Sequence, residues 1–513
     1  MDSQYYYITT TLPYVNADPH IGFALEIIQA DALARYQQLL GKTVVFNTGT
    51  DEHGLKIYRK ALEQGISPQA YCDMYAAKFD GLKESLHLSY THFIRTTDEH
   101  HKVAAQKFWN ICLENGDIYK KDYQVKYCVG CEMEKTDSEL DKGICPIHPN
   151  QVVEEIHEEN YFFRFSKFQE PLLALYEKNP TFVVPSHRLQ EIKNFVQDGL
   201  QDFSISRLKE KMPWGVPVPN DEEHVMYVWF DALINYISTL GWPQKNTTTS
   251  DTHLFETYWG TTESPNAVQV AGKDNLRQQS AMWQAMLLSA GLPPSKQIFI
   301  HGFITANGQK MSKSLGNVID PFSLVQAYGV DPVRYYLLGG ISAYQDGDFS
   351  DERFREVYQS ELMNGVGNLT SRIITMVEKY ADGIVPPVAP NMFDTQGFWD
   401  TYDRCMNAYE FHGVIHNIQT LVTACDSTIS SKKPWEIAQS GGDVRGLLYQ
   451  LVEGLRHIAL ALLPIIPHTA QNILSQLGIN STELRTLKEE SAWGGIHPGT
   501  RVSRTGILFP RLP

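Results

Sequence analysis

Two groups of residues in the sequence have the types and the spacing that a binding or catalytic site requires, and the first is a set of potential metal ligands. It consists of two pairs, each separated by two residues, with thirteen residues between the pairs: Cys128, Cys131, Cys145 and His148. Gly130 and Gly143 favour the tight turns that the pairs bracket. Four soft or borderline ligands that close on one ion form a tetrahedral zinc site with no open position. The spacing therefore predicts one structural zinc ion, and a redox-active dithiol is less well supported because the histidine completes a ligand set.

The second group is a loop that carries positive charge and hydroxyl groups between glycines. Residues 308–317 read GQKMSKSLGN, with Lys310 and Lys313 separated by two residues and Ser312 and Ser314 beside them. Ammonium groups and hydroxyl donors can stabilise the charge that develops on a triphosphate during transfer. The composition therefore predicts a phosphate-binding loop, and the alternative is a polar surface loop.

The start of the first predicted helix offers a further candidate. Residue types and periodicity predict a strand at Tyr5–Thr10, a helix that begins at Ile21 and a second strand that begins at Val44. Two strands around one helix form a right-handed unit with parallel strands, and the N-terminus of such a helix favours an anion. His20 can donate a hydrogen bond there, and Gly22 lets a ligand approach the backbone closely.

Composition limits the classes of protein to which the chain can belong. At 513 residues with 42% hydrophobic and 20% charged residues, it is typical of a globular protein of several domains. The net charge of −15 excludes a uniformly basic surface, so any nucleic acid must contact local basic patches. Seven cysteines without a signal peptide indicate a reducing compartment, which we expect to be the cytoplasm. The longest apolar run, residues 458–466, is interrupted by Pro464 and is too short to cross a membrane.

The order of the predicted elements divides the chain. Strands are predicted at residues 224–230, 267–271 and 297–301, after a segment that breaks the α/β alternation, and helical patterns dominate from Asp331 onward. We therefore predict an α/β fold with a parallel sheet split by a zinc-binding insertion and followed by an α-helical bundle. The predicted units are residues 1–116 and 220–330 for the two halves of the sheet domain, 117–219 for the insertion, 331–384 for linking helices and 385–513 for the bundle.

Read together, these motifs resemble class I aminoacyl-tRNA synthetases, and within them the methionyl-tRNA synthetases with one zinc knuckle. His20-Ile21-Gly22 and the Lys310-Met311-Ser312-Lys313-Ser314 run resemble the signature pair of the class. The resemblance also includes residues 12–14, 49–54, 204–207, 227–232, 272–274 and 433–435, in the same order, and covers nearly the whole chain. It implies a Rossmann-like catalytic domain that activates methionine with ATP and charges tRNA, and an anticodon-binding helical domain.

The resemblance also implies roles for individual residues. For the methionine pocket it implies Leu12, Tyr14, Asp51, Trp229, Ala232 and Tyr236, with Asp51 facing the α-amino group. For the ATP site it implies His20, Gly22, Lys273, Asp274, Lys310, Met311, Ser312, Lys313 and Ser314. Catalysis is expected from His20, Lys310 and Lys313, with Arg207 assisting, and anticodon contacts from Asn368, Arg372 and Trp435. Zn²⁺ would be structural, and Mg²⁺ would accompany ATP.

Three residues depart from the pattern of the family. Phe23 stands where a second histidine is usual and cannot donate to phosphate, so His20, backbone N–H groups and the loop lysines must act there. Gln279 stands where a histidine commonly lines the methionine pocket, and it keeps hydrogen-bonding ability without the ring. Asp426 replaces a common asparagine near the predicted anticodon surface, where a negative charge would be unhelpful.

Two alternatives stay open on the sequence alone. One is a class I ligase for another aliphatic amino acid, although the insertion is short for the editing domain that such enzymes carry. The other is a non-catalytic tRNA-binding relative, which only Phe23 and Gln279 favour. The expected partners are ATP, L-methionine and tRNA(Met), with no membrane. Because the chain ends at residue 513, before a further dimerising domain would begin, we expect a monomer.

Overall fold

A parallel six-stranded sheet lies at the centre of the fold. The computed structural model describes residues 4–131, 133–135, 139–243, 254–311 and 317–512. The strands are β1 (Tyr5–Thr10), β2 (Thr43–Thr50), β3 (His92–Arg95), β4 (Ile118–Cys128), β5 (Met133–Lys135), β6 (Val153–Phe163), β7 (Val183–Val184), β8 (Phe203–Ser204), β9 (Ser206–Leu208), β10 (Pro217–Val218), β11 (Asp221–Met226), β12 (Ala267–Gly272), β13 (Gln297–His301), β14 (Ile304–Ala306), β15 (Gln309–Lys310) and β16 (Gly347–Phe349). The central sheet has the order β3-β2-β1-β12-β13-β7.

The helices cover this sheet and then form the C-terminal part of the chain. The α-helices are α1 (Ile21–Leu39), α2 (Leu55–Glu63), α3 (Pro68–Asp80), α4 (Leu82–Ser85), α5 (Glu99–Glu114), α6 (Gln169–Lys178), α7 (Ser186–Gln197), α8 (Val228–Ala232), α9 (Asn235–Ser238), α10 (Trp283–Ser289), α11 (Pro321–Tyr328), α12 (Val330–Tyr335), α13 (Asp351–Val357), α14 (Asn368–Tyr380), α15 (Thr395–Asn407), α16 (Phe411–Lys432), α17 (Pro434–Gln439), α18 (Arg445–Leu462), α19 (Pro467–Gln476) and α20 (Leu487–Glu490). Turns of the π type occupy Phe255–Trp259, Gln278–Met282, Tyr336–Gly340 and Tyr358–Gly367, and 3₁₀ turns occupy Phe165–Phe168, Lys273–Asn275 and Ser481–Glu483. The predicted α/β fold with a helical C-terminal part is confirmed.

Alternation along β1 explains why the sheet has a hydrophobic core on each face. Tyr6 and Ile8 belong to the core that also contains α1 and most of the C-terminal helices, whereas Tyr7 belongs to the core beneath α5 and α10. Side chains of successive strand residues point to opposite faces, so a fully apolar strand must be covered twice. The predicted strand–helix–strand unit is confirmed, because β1 pairs in parallel with β2 around α1.

The strand predicted at residues 224–230 is wrong in its second half. The strand β11 ends at Met226 and pairs antiparallel with β9 and β10 outside the central sheet, and helix α8 begins at Val228. The aromatic run Tyr227-Val228-Trp229-Phe230 has strong strand propensity, but Phe230 is buried against Phe108 and Trp109 in the helical conformation. Tertiary packing here overrides local preference.

The segment between the two halves of the sheet domain has its own antiparallel sheet, of order β5-β4-β6-β8. One part of it belongs elsewhere, because Val183–Val184 pairs in parallel with β13 and forms an edge of the central sheet. Among the helices of the C-terminal part, α15 and α16 are separated near Tyr409, where the backbone φ is 60°. A short strand, Gly347–Phe349, also interrupts the region where only helices were predicted.

Within the described ranges, no helix combines the length and the apolar character that crossing a membrane requires.

Candidate active-site cleft

A cleft of about 760 Å³ opens at the carboxyl ends of the central strands. Thr11 follows β1, Asp51 follows β2, Gly272 ends β12 and His301 ends β13, and all four residues line the cleft. Strand β1 has β2 on one side and β12 on the other, so the chain reverses its direction of winding at this point. Open α/β sheets bind ligands at such a switch point, because the loops on its two sides diverge and leave a crevice.

The six residues expected to form a methionine pocket all line this cleft: Leu12, Tyr14, Asp51, Trp229, Ala232 and Tyr236. Asp51 is 9% exposed, and its backbone is held between the peptide groups of Pro13 and Val15. The N–H of Asp51 donates to the Pro13 carbonyl at 3.0 Å, and the Val15 N–H donates to the Asp51 carbonyl at 3.1 Å. The loop after β1 therefore fixes the backbone from which the Asp51 side chain extends.

Gln279, one of the three departures from the family pattern, has a defined place in the wall of the cleft. It is 2% exposed, its Nε2 donates to the Tyr236 hydroxyl at 2.6 Å, and its Oε1 accepts from Gln269 Nε2 at 2.9 Å. The carbonyl of Tyr236 accepts from the Tyr7 hydroxyl at 2.8 Å. Gln279 thus orients Tyr236, and the glutamine performs this contact without an aromatic ring.

The nucleotide side of the cleft is formed at the N-terminus of α1. His20 is the N-cap residue and is exposed to the cleft, and its Nδ1 accepts from the Gly22 N–H at 3.1 Å. A Cβ on Gly22 would lie 3.0 Å from that imidazole ring, so a larger residue there would have to displace the His20 side chain. The Ile21 N–H donates to the carbonyl of Ile319 at 3.0 Å. This contact brings the segment that follows the lysine loop to the same helix end as His20.

Phe23, a second departure, forms an apolar part of the wall on that side. Its ring packs edge-to-face on Phe79 with 5.5 Å between the ring centres, and both residues line the cleft. No phosphate contact can come from this side chain. That His20, backbone N–H groups and the loop lysines act on phosphate at this corner stays a prediction.

Glu26 and His301 are cleft residues that were not predicted from the sequence. Glu26 Oε1 accepts from the backbone N–H and the hydroxyl of Thr11 at 2.8 and 2.6 Å, and Glu26 Oε2 lies 3.0 Å from His301 Nε2. The other ring nitrogen of His301 lies 2.7 Å from the Gly302 carbonyl. The pair joins the ends of β1 and β13 across the switch point. A carboxylate on the buried face of α1 was the only signal in the sequence.

We expect the Glu26–His301 pair to make the stability of the protein depend on pH. Burial lowers the pKa of His301, but the hydrogen bond and charge of Glu26 outweigh it and the net pKa is raised. The stabilisation is then complete below the unfolded-state pKa of about 6.5 and is lost as pH rises through the higher native pKa. In urea denaturation, the difference between wild type and His301→Gln should be larger at about pH 6 than at about pH 9.

His457, buried in the helical region, provides the control for that measurement. Burial lowers its pKa, so its effect on stability has the opposite sign and His457→Gln should differ from wild type less at low pH than at high pH. An equal effect of His301→Gln at both pH values would contradict the prediction.

Three cysteines and one histidine meet in the insertion, as their spacing predicted. The ligand atoms of Cys128, Cys131, Cys145 and His148 all lie within 4.8 Å of one another. Cys131 Sγ is 3.5 Å from Cys145 Sγ and 3.2 Å from His148 Nδ1. A Cβ on Gly130 would lie 2.5 Å from the His148 ring, and Gly143 has a φ of +81°, so both glycines are required by the turns. The donor set suits a four-coordinate metal ion, and Cys131 also lines the cleft.

The chain was compared with known proteins. A family model described as tRNA synthetases class I (M) matches residues 6–156 and 148–374, and one described as anticodon-binding domain of tRNA ligase matches residues 395–493. A methionine–tRNA ligase of Thermosynechococcus vestitus is 44% identical over 487 residues, which cover 93% of this chain and 90% of that protein. One of Caldanaerobacter subterraneus subsp. tengcongensis is 41% identical and covers 99% of this chain and 79% of its own length. The chain belongs to the methionine–tRNA ligase family.

The structure agrees with this membership. A Mycobacterium tuberculosis methionyl-tRNA synthetase in complex with methionyl-adenylate has a TM-score of 0.90 and 36% identity, and the match covers 99% of this chain and 100% of that one. The match extends over the split sheet, the insertion and the helical C-terminal part of this chain. The predicted membership and fold class are confirmed.

The remaining residues predicted for the ATP site and for catalysis differ in how closely they approach the cleft. Asp274 and Met311 line it. Lys273 Nζ pairs with Asp346 at 2.6 Å and lies over the Phe303 ring, and both of these partners line the cleft. Within the described ranges, Arg207 is not among the lining residues. Its guanidinium is buried over the Tyr227 ring and donates to Ser204 and to the Ser206 carbonyl. Ser312, Lys313 and Ser314, and the side chain of Lys310, lie outside the described residues.

The three predicted anticodon residues lie on helices of the C-terminal part of the chain, and among them only Trp435 falls within the match to the anticodon-binding domain. Asn368 begins α14 and is exposed, Arg372 follows one turn later, and Trp435 is half-buried on α17. Arg372 forms an ion pair with Asp426 of α16. The negative charge that seemed unhelpful in the sequence is thus a partner of a predicted anticodon residue.

Proposed function

We propose that the cleft activates methionine with ATP and transfers it to the 3′-terminal adenosine of tRNA(Met). One observation carries the proposal. At the switch point of the sheet, a nearly buried carboxylate and apolar walls lie beside the N-terminus of α1, where His20 and Gly22 are placed. Asp51 suits an ammonium group, and Trp229 with Tyr236 suits a flexible thioether. An amino acid and a nucleotide can therefore meet in one cavity.

The reaction needs no covalent enzyme intermediate. The methionine carboxylate attacks the α-phosphorus of ATP, the bond to the β-phosphate breaks, and pyrophosphate leaves with the electron pair. A ribose hydroxyl of the tRNA then attacks the carbonyl carbon of the adenylate, and AMP leaves. Asp51 would orient the amino acid, while His20, Gly22, Lys273 and Asp274 would orient the nucleotide, so that proximity supplies much of the acceleration.

The lysine loop would act on the transferring phosphates. Lys310 and Lys313 supply positive charge that is most useful when charge develops between the α- and β-phosphates, and Ser312 and Ser314 can donate to phosphate oxygens. Mg²⁺ would enter with ATP as part of the substrate and neutralise charge on the triphosphate. The contact of Ile21 with Ile319 supports placing this loop beside His20.

We propose that the Cys/His cluster holds one zinc ion with a structural role. Cys128, Cys131, Cys145 and His148 would fill all four positions, so the ion has no open site for chemistry. It would hold the turns of the insertion together, since the ligands lie in two short segments that are thirteen residues apart.

Metal analysis tests the zinc proposal directly. We expect about one zinc ion per wild-type chain and close to none in Cys145→Ala, because three ligands bind a structural zinc ion much more weakly than four. Cys425, which is buried in α16 away from the cluster, offers a matched control. Cys425→Ala should keep its zinc. Equal zinc contents in the two variants would exclude Cys145 as a ligand.

The helical domain would read the anticodon. Asn368 and Arg372 offer hydrogen bonds to base edges, and Trp435 offers a ring on which an unpaired base can stack.

The proposed division of the chain into structural units is residues 1–116, 117–219, 220–330, 331–384 and 385–513. The edge strand Val183–Val184 shows that the second unit contributes to the central sheet as well.

Pyrophosphate exchange measured with a series of amino acids tests the proposed function. Methionine should support exchange at least about 10²-fold better than valine, isoleucine or leucine, as one or two misplaced methyl groups cost a few kcal/mol. If one of the branched amino acids supports faster exchange than methionine, that amino acid is the substrate and the methionine proposal is wrong. Absence of exchange with every amino acid, together with retained tRNA binding, would establish a non-catalytic relative.

A further inference from the structure

A buried carboxylate with a histidine on each side lies behind the methionine side of the cleft. Asp231 is 0% exposed, and its two oxygens face two imidazole rings: Oδ2 is 2.6 Å from His53 Nδ1 and Oδ1 is 2.9 Å from His101 Nε2. Both histidines are buried as well. His101 Nδ1 lies 2.9 Å from the Ser238 hydroxyl. The group belongs to none of the steps proposed above, and a buried charge is costly unless it is paired and hydrogen-bonded, as Asp231 is here.

The protonation of this group follows from its charge. Burial raises the pKa of Asp231, but His53 and His101 outweigh it and lower the pKa to about 2. An ionised carboxylate can only accept hydrogen bonds, so the ring nitrogens that face it, Nδ1 of His53 and Nε2 of His101, both carry a proton. Asp231 therefore holds both rings in one orientation by charge-assisted hydrogen bonds.

Each end of this arrangement is joined to a different wall of the cleft. His53 follows Asp51 by two residues, and the intervening Glu52 is fixed by Arg95, whose Nε and Nη2 donate to its carboxylate at 2.7 and 2.9 Å. The indole N–H of Trp214 donates to the Glu52 carbonyl at 2.6 Å. The Trp214 ring also packs edge-to-face on the His53 ring. These contacts connect His53 to the end of β2, where Asp51 lies.

Asp231 belongs to the opposite wall. It lies on α8 between Trp229 and Ala232, both of which line the cleft. Residues two apart on a helix point to opposite sides, so a carboxylate held from behind directs Trp229 into the cleft. His101 of α5 contacts the other carboxylate oxygen of Asp231, and this contact holds α8 against α5 on the side away from the cleft.

We propose that His53, Asp231 and His101 are positioning residues that fix the Asp51 wall and the Trp229 wall of the methionine pocket relative to each other. They touch neither methionine nor ATP. They keep the distance between the ammonium-binding carboxylate and the thioether-binding rings at one value, which sets the affinity for the amino acid and leaves the nucleotide side unchanged. The inference rests on the proposed function, because it concerns the pocket for the amino acid.

Exchange kinetics with both substrates varied separately test the inference. In Asp231→Asn and His53→Leu we expect the KM for methionine to rise about tenfold or more, because a displacement of about 1 Å can cost up to about 10²-fold. The KM for ATP should stay within about twofold of wild type. A general loosening of the fold would raise both constants together.

Two conservative variants serve as rescue. The amide nitrogen of asparagine can occupy the place of a histidine Nδ1, and that of glutamine the place of Nε2. His53→Asn and His101→Gln should therefore bind methionine within about threefold of wild type, whereas His53→Leu and His101→Leu should not. Failure of both rescues, with all four variants folded by circular dichroism, would overturn the inference.

A buried histidine elsewhere controls for lost stability. His457 lies in the helical domain beside Glu453 and accepts from the Trp399 indole N–H at 2.9 Å. His457→Leu should lower the melting temperature by an amount comparable to His53→Leu while leaving the KM for methionine unchanged. An unchanged KM in His53→Leu and Asp231→Asn would overturn the inference.

Wild-type exchange separates this inference from the proposed function. If wild type exchanges with another amino acid, methionine specificity fails, and the KM for that amino acid tests the positioning residues in the same way. If wild type exchanges with no amino acid, both the proposed function and the inference fail.

Discussion

Asp51→Asn should raise the KM for methionine in pyrophosphate exchange by about 10²- to 10³-fold and leave the KM for ATP nearly unchanged. Asp51 is 9% exposed, and it lies in the wall of the cleft beside Tyr14, directly after the end of β2. Removing one partner of a largely buried ion pair costs about 3–5 kcal/mol, and each 1.4 kcal/mol is a tenfold change in affinity. Asparagine keeps the shape of the side chain, so the rise in the KM for methionine measures the contribution of the negative charge.

The control for this experiment is another aspartate of the same cleft. Asp18 also lines it, but it is exposed and pairs with Lys78 at 2.5 Å on the rim. Asp18→Asn should change the KM for methionine by less than about threefold, since exposed pairs contribute about 1 kcal/mol or less. Equal effects of the two substitutions would show that the general negative potential of the cleft attracts the amino acid, and Asp51 would lose its specific role.

Local patterns were sufficient to predict the parts of this site that lie close together in sequence. The strand Tyr5–Thr10, the helix start at Ile21 and the strand Gln297–His301 were predicted with the observed bounds, because each has a clear period or a flanking turn. The Cys/His cluster followed from two short spacings. In these cases the residues next to each other along the chain determine where an element begins and ends, or how two ligands of a pair are placed.

Contacts that depend on strand order could not be predicted in this way. Glu26 and His301 are 275 residues apart, and they meet only because β1 and β13 flank β12 at their carboxyl ends. Val183–Val184 joins the central sheet although its sequence neighbours belong to another sheet. Arg372 and Asp426 are likewise 54 residues apart in sequence, and they meet through the packing of α14 beside α16, where the carboxylate can orient the guanidinium.

Arg334 offers the largest expected effect on stability. It is 0% exposed and lies 2.7 Å from Asp31 of α1, and it also donates to the carbonyls of Leu86, Pro464 and Ile465 at 3.1, 3.2 and 2.9 Å. Arg334→Met should lower the free energy of unfolding by about 3–5 kcal/mol, because it leaves the buried Asp31 charge and three carbonyls without this partner. Urea denaturation followed by circular dichroism measures the loss.

Arg35 is the matched control for Arg334, because it pairs with the same carboxylate at the same distance. Its Nε lies 2.7 Å from Asp31, but its side chain is 22% exposed and water can replace the contact. Arg35→Met should therefore lower the free energy of unfolding by only about 1 kcal/mol.

Arg334 also connects helix α1 of the cleft with the turn between α18 and α19 of the helical domain. If that connection sets the orientation of the two domains, Arg334→Met should reduce aminoacylation of tRNA more than pyrophosphate exchange, whereas equal losses would assign Arg334 to stability alone.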